Sequence, residues 1–136
     1  FCSTERIDEV EHNVFNTSGR INSTWGGNIV DMVRFGYIVD AIQNDKLIDN
    51  AHHIGSHLLW CLRTIREIDN VRGRGLMIAF DLSSSELRDR MMELLQENMI
   101  VLKCGSRSIR LRPCLTFSVE DADLACQYIR EAVENL

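Results

Sequence analysis

The chain has 136 residues, of which 45% are hydrophobic and 26% are charged, and its formal net charge is -5. A chain of this length and composition forms a compact globular domain rather than a disordered or fibrous structure. Acids outnumber bases and no extended basic face is apparent, so the sequence argues against a nucleic-acid partner.

Hydropathy and cysteine spacing indicate in which cellular compartment the protein is expected. No apolar run reaches the roughly 18 residues that a transmembrane helix needs, so we expect no membrane partner. The five cysteines form no C-x-x-C pair, and an odd number in a chain of this size argues against a disulfide framework. The sequence therefore predicts a cytoplasmic protein.

The first predicted elements are helices. The segment Ile7–Phe15 has only weak periodicity and predicts a short helical or irregular lead-in. Asn28, followed by Asp31 in the manner of a capping box, predicts a helix over Ile29–Ile42. Because that helix is apolar almost all round, we expect most of its surface to be buried. A second, amphipathic helix is predicted over Lys46–Ile68.

The second half of the chain alternates short strands with helices. Three strands are predicted, over Leu76–Leu82, Ile100–Lys103 and Ser108–Arg112, and residues 71–75 are predicted as a loop before the first. Helices are predicted from a capping box of Ser83 and Glu86 to about Asn98, and from Ser118 to the terminus. This order predicts an α+β fold, a short β-sheet covered by helices.

The loop before the first long helix has the parts of an anion site. Ser23 and Thr24 offer hydroxyls, and Gly26 and Gly27 allow a ligand to approach the backbone closely. The positive end of the following helix points back at this loop, which favours phosphate or carboxylate. The alternative is a plain helix-entry turn, and the local pattern alone favours that alternative.

Arginines form the second candidate site. In an extended strand, Arg110 and Arg112 project from one face, whereas Ile109 and Leu111 fill the other. A guanidinium can hold a carboxylate through two parallel hydrogen bonds, which suits an amino-acid or keto-acid substrate. Arg107 lies close to Arg110 and Arg112 in sequence, and Arg72 and Arg74 form a separate cluster. Pairing of Arg110 and Arg112 with acids on neighbouring helices is an equally open interpretation.

No other residues form a convincing reactive set. His52, His53 and His57 lack the glutamate of an H-E-x-x-H motif, and no cysteine is recognised at ligand spacing, so no metal site is predicted. The two lysines, Lys46 and Lys103, lack the setting of a Schiff-base lysine. We therefore predict no catalytic residue in this chain.

Three separated motifs give the chain a family resemblance. They read GRINSTWGGNIVDMVRF, VRGRGLMIAFDL and SIRLRPCLTFS, in this order. Together they resemble the C-terminal part of the class III aminotransferases, which are pyridoxal-phosphate (PLP) enzymes of fold type I, and within that family the lysine 6-aminotransferases most. The resemblance implies the C-terminal small domain of that fold, preceded by a long interdomain helix.

The resemblance also implies roles for particular residues. Thr24 matches the threonine that reaches across a dimer interface to the cofactor phosphate of the neighbouring subunit, and Asn22 and Ser23 flank it. Arg110 matches an arginine that binds a substrate carboxylate, and Arg112 is similar to a second arginine of the lysine and 4-aminobutyrate enzymes. The implied boundaries are residues 1–28 for the lead-in and cofactor-phosphate loop, 29–45 for the linking helix and 46–136 for the small domain.

The resemblance implies the function of a longer enzyme that contains this chain. The resemblance implies a homodimer that moves the terminal amino group of L-lysine to 2-oxoglutarate through PLP, with amino and 2-oxo acids as substrates. The lysine that holds the cofactor covalently is expected before Phe1, so this chain alone is predicted to be inactive. Alternatives are an enzyme for 4-aminobutyrate or another omega-amino acid and, in a different class, a non-catalytic carboxylate-binding or dimerisation module.

Overall fold

The computed structural model describes residues 5–7, 9–17, 19–20 and 23–136, which group into two compact units, Phe1–Val39 and Asp40–Leu136. In the described part of the first unit, a 3-10 helix at Glu5–Ile7 is followed by turns. Asn13 is buried there, and its side-chain amide donates to the carbonyl oxygen of Ile7 at 3.0 Å. The predicted lead-in thus forms hydrogen-bonded turns rather than a continuous helix.

The first long helix, α1, covers Ile29–Asn44. Asn28 caps it as predicted, since its side-chain oxygen accepts from the backbone N–H of Val30 at 2.9 Å. The predicted burial is wrong for this chain: α1 has no buried residue, and Tyr37 is 73% exposed. The physical reason is that the core of the chain is built from other elements, which leaves the apolar side chains of α1 accessible to solvent.

The second unit contains a four-stranded antiparallel sheet in the order β1-β2-β4-β3. The strands are β1 at Asp69–Arg74, β2 at Met77–Asp81, β3 at Leu102–Cys104 and β4 at Ser108–Leu111. The prediction of a loop over residues 71–75 is wrong for residues 71–74, which belong to β1, whereas Gly75 lies in the hairpin turn. This edge strand is mostly exposed and rich in charged residues and glycine, so it lacks the alternation of apolar residues that identifies a strand in sequence.

Three helices accompany the sheet: α2 at Leu47–Leu62, α3 at Ser85–Leu95 and α4 at Val119–Glu134. Their caps account for their starts. Ser84, and not Ser83 as predicted, accepts from the backbone of α3, whereas Ser118 and Asp121 form the capping box of α4. The helix predicted to reach Ile68 ends six residues earlier.

The early end of α2 has a local cause. The hydroxyl of Thr64 donates to the carbonyl oxygen of Cys61 at 2.7 Å, which takes an acceptor of the last turn. Ile65 and Ile68 follow in non-helical backbone but are still buried. The apolar periodicity therefore continues beyond the end of the helix.

One face of the sheet forms the core with the helices. Ile78, Phe80, Ile109 and Leu111 alternate with outward residues along β2 and β4 and are at most 4% exposed. Helix α2 contacts β1 and β2, α3 contacts β3 and β4, and α4 packs on α2 and α3. The predicted α+β class, a small sheet covered by helices, is confirmed.

A close backbone contact fixes α2 against the hairpin of β1 and β2. Gly55 is buried in α2, and a Cβ atom there would lie 2.1 Å from the carbonyl oxygen of Gly75 in the hairpin turn. Only glycine allows the helix this approach. None of the helices in the described part of the chain has both the length and the apolar character of a membrane span.

Candidate functional site

The loop Ser23–Asn28 in the first unit is a compact turn. The backbone N–H of Gly26 donates to the carbonyl oxygen of Ser23 at 2.9 Å, and that of Trp25 donates to the Ser23 hydroxyl at 3.2 Å. Gly27 has φ +78°, a left-handed conformation that favours glycine. The glycines of this segment therefore serve the turn geometry, which the sequence alone offered as one of two interpretations.

The turn leaves Thr24 accessible. Thr24 is exposed, and its hydroxyl has no hydrogen bond to any other described residue, whereas the Ser23 hydroxyl already accepts one. Helix α1 begins five residues later, at Ile29. A free hydroxyl beside a helix N-terminus fits a phosphate group. Asn22 lies outside the described residues.

Arg110 lies in the second unit, on the face of the sheet opposite the helices. It pairs in register with Ala79 of β2 and with Leu102 of β3, so it stands in the interior of the sheet, flanked by apolar neighbours. The residue is half-buried, and its Nε is fully buried without an acceptor among the described residues. An unsatisfied buried donor costs about 1–3 kcal/mol, so this guanidinium is suited to an incoming acceptor.

Arg72 and Arg107, two arginines near Arg110, already have an acid partner. Asp81 accepts from the Ser108 hydroxyl at 2.6 Å, from Asn70 at 3.0 Å and from Arg72 at 2.8 Å. These contacts, with the Ser108 hydrogen bond the largest cause, lower the pKa of Asp81 from 3.8 to about 2. Arg107 Nη2 is also 3.9 Å from this carboxylate. Arg72 and Arg107 thus have an acid partner, and Arg110 has none among the described residues.

Arg112 is placed differently from Arg110. Strand β4 ends at Leu111, so Arg112 lies just beyond it. Its side chain lines a cavity of about 290 Å³, together with Leu58 of α2 and Tyr128 of α4. Arg110 is not among the lining residues, so the structure does not bring the two arginines into one cavity. Neither arginine forms an ion pair with an acid in the described part of the chain, contrary to the interpretation that both would.

A third cluster lies where α2 meets α4. Nε2 of His57 is 2.6 Å from Oδ1 of Asp123 and 3.7 Å from Sγ of Cys61. The interpretation that no cysteine lies at ligand spacing is therefore wrong. A spacing of four residues on one helix brings His57 and Cys61 together, and this H-x-x-x-C pattern was the signal available in the sequence. Asp123 is 66 residues away and no local pattern could have indicated it.

Comparison with known proteins identifies the family. Residues 4–133 match the family described as Aminotransferase class-III. The chain belongs to the class III aminotransferases. It is 38% identical to the L-lysine-epsilon aminotransferase of Streptomyces clavuligerus over 94% of this chain and 30% of that protein. It is 33% identical to the 4-aminobutyrate aminotransferase of Kluyveromyces lactis, over 89% of this chain and 27% of that protein.

A solved structure shows the same fold for this class III aminotransferase chain. The lysine aminotransferase of Mycobacterium tuberculosis superposes with a TM-score of 0.83 at 39% identity, over 96% of this chain and 31% of that one. The chain thus spans about 30% of the length of the relatives that it matches. The family resemblance seen in the three sequence motifs is confirmed.

Proposed function

We propose that this chain is part of a PLP-dependent enzyme that transfers the terminal amino group of L-lysine to 2-oxoglutarate. Its relatives named for lysine are 38–42% identical, whereas a relative named for 4-aminobutyrate is 33% identical. The structural observation that carries the proposal is the unpaired guanidinium of Arg110. Both substrates carry a carboxylate, and each needs a cationic side chain that is not already paired with an acidic residue of the protein.

In this proposal, Arg110 binds the α-carboxylate of each substrate in turn. The flanking side chains of Ala79 and Leu102 are apolar, so they exclude water around the guanidinium and strengthen the contact. The fixed strand backbone sets the direction of the side chain, which holds the substrate in register for reaction at its amino group. Arg112 serves as a second substrate contact at the wall of its cavity.

The loop of the first unit would hold part of the cofactor. PLP supplies an electron sink for the amino transfer when it is bound. Thr24 donates its hydroxyl to the phosphate group, with Ser23 and Asn22 flanking it, and in a homodimer that phosphate belongs to the neighbouring subunit. We also propose that residues 1–28 form the lead-in and cofactor-phosphate loop, residues 29–45 the linking helix and residues 46–136 the small domain. The chain alone is expected to have no aminotransferase activity.

The test of Arg110 uses the enzyme that contains this chain. Arg110→Gln removes the charge and the paired donors, so the KM for lysine should rise with a smaller effect on kcat. Arg130→Gln, on α4, is the matched control, because it removes the same charge from the helical side of the unit. Arg130→Gln should leave the KM for lysine unchanged. If Arg110→Gln also has the same KM for lysine as the unsubstituted enzyme, the assignment of Arg110 is wrong.

The test of Thr24 is cofactor retention. Thr24→Val removes one hydroxyl with little change in volume, and the dissociation constant for PLP should increase. Thr17→Val is the control, because Thr17 lies outside the loop Ser23–Asn28. Equal cofactor affinity in both variants and the parent enzyme would contradict the phosphate contact while leaving the role of Arg110 open to its own test.

The 4-aminobutyrate alternative is distinguished by substrate preference. The lysine proposal expects a higher kcat/KM for lysine than for 4-aminobutyrate with 2-oxoglutarate as the acceptor. The reverse order would favour the alternative. Both substrates carry a carboxylate, so this comparison tests the amino donor independently of Arg110.

A further inference from the structure

The contact between α2 and α4 contains three side chains of the types that bind transition metals. His57 and Cys61 lie one turn apart on α2, and Asp123 lies on α4. The imidazole Nε2, the Cys61 sulfur and an Asp123 oxygen all lie within 4.8 Å of one another. One nitrogen, one oxygen and one sulfur donor thus lie close together.

The distances are close to those of a tetrahedral zinc site. With typical Zn–N, Zn–O and Zn–S bond lengths, nitrogen and sulfur ligands lie about 3.6 Å apart, and nitrogen and oxygen ligands about 3.4 Å apart. The observed separation of His57 Nε2 from Cys61 Sγ is 3.7 Å, which already fits. The separation from Asp123 Oδ1 is 2.6 Å, so this carboxylate has to move outward by less than 1 Å. Its side chain is 60% exposed and is free to do so.

Burial separates the sulfur donor from the other two. Cys61 is 5% exposed, whereas the carboxylate of Asp123 faces solvent. An ion can therefore enter at Asp123 and His57 and reach the sulfur behind them.

We propose that His57, Cys61 and Asp123 form a binding site for a thiophilic divalent ion of the Zn²⁺ class, with a water molecule as the fourth ligand. His57 contributes a neutral ring nitrogen and Asp123 a carboxylate oxygen, and Cys61 contributes a thiolate after its proton passes to the solvent. The donor set excludes Mg²⁺ and Ca²⁺, which prefer oxygen ligands. The ion links α2 to α4 and therefore stabilises the fold of the second unit. This site is independent of the proposed aminotransferase function.

The simpler account of the cluster is a hydrogen bond between His57 and Asp123 beside a core thiol. That account predicts no affinity for Zn²⁺ beyond what exposed histidines and cysteines give to any protein. The two accounts are separated by asking which side chains determine the affinity.

The experiment measures Zn²⁺ affinity of the full chain by competition with a chromophoric chelator, in an excess of Mg²⁺. His57→Gln and Asp123→Asn each remove one ligand at positions that are not deeply buried, so both variants are expected to fold. His53→Gln is the control for an exposed histidine on α2, and Cys114→Ser is the control for an exposed thiol. Circular dichroism verifies that each variant is folded.

The expected result is one Zn²⁺ per chain, with the affinity lowered at least about tenfold by His57→Gln and by Asp123→Asn and unchanged in both controls. Co²⁺ in place of Zn²⁺ should give the charge-transfer absorption of a cobalt–thiolate bond. Zn²⁺ should also raise the thermal midpoint of the parent chain but not that of the two ligand variants. Equal affinity in the parent chain and His57→Gln, loss of binding in Cys114→Ser, or a Co²⁺ spectrum without thiolate absorption would overturn the proposal.

Discussion

Substitution of Gly55 by alanine tests the packing of the second unit most sharply. In an exposed helix this change is favourable by about 0.8–1 kcal/mol. At Gly55 the added methyl would lie 2.1 Å from the carbonyl oxygen of Gly75 and 2.4 Å from its carbonyl carbon. Relief of that overlap requires α2 and the hairpin turn to separate by about 1 Å, and overpacking of this kind costs about 1–3 kcal/mol or more. The steric cost outweighs the gain in helix propensity, so Gly55→Ala should lower the free energy of unfolding.

The assay is urea unfolding followed by far-ultraviolet circular dichroism. Gly36→Ala is the matched control, because Gly36 lies inside α1 and a methyl group there would meet nothing within 4 Å. The control should keep or increase the helical signal, whereas Gly55→Ala should shift the unfolding midpoint to lower urea. Equal or greater stability of Gly55→Ala would show that the close contact between α2 and the hairpin does not hold.

Two further predictions concern ionisation and capping. Because the pKa of Asp81 is lowered to about 2, its ionised form adds about 2 kcal/mol of stability above pH 4, and this contribution is lost as the pH falls towards 2. In urea unfolding, Asp81→Asn should therefore lower the free energy of unfolding by about 2 kcal/mol at pH 7 and give the same stability as the unsubstituted chain near pH 2. The control Asp45→Asn should change the free energy of unfolding little at either pH. Ser84→Ala should cost about 1 kcal/mol because it removes the cap of α3, and Ser83→Ala should cost less than about 0.5 kcal/mol. Equal losses at Ser83 and Ser84 would contradict the observed cap.

Local patterns were sufficient for the elements that bury a regular stripe. The final helix, which begins after Ser118, and the α+β class follow from apolar periodicity and turn residues. Edge strand β1 was missed, because it is held by backbone pairing with β2 and needs few apolar side chains of its own. The burial of α1 was predicted from its composition, but burial depends on a covering surface and not on the helix alone.

In the candidate sites too, local pattern predicts single residues but not the contacts that tertiary packing creates. Arg110 was identified because strand alternation fixes its side-chain direction and a motif marks its position. That Arg72 and Arg107 share Asp81 could not be predicted, since these residues meet only through the register of β1, β2 and β4. The cluster of His57 and Asp123 likewise depends on how two helices pack across 66 residues of sequence.

The central claim is that Arg110 binds the carboxylate of the amino-acid substrate. The most direct measurement compares lysine with 1,5-diaminopentane, which lacks that carboxylate, in the first half-reaction of the enzyme that contains this chain. Loss of a charged hydrogen-bonding pair of about 2 kcal/mol predicts that Arg110→Gln lowers kcat/KM for lysine about 30-fold and leaves the value for the diamine nearly unchanged. An equal loss with both substrates would contradict the claim, because the arginine would then act on something other than the carboxylate.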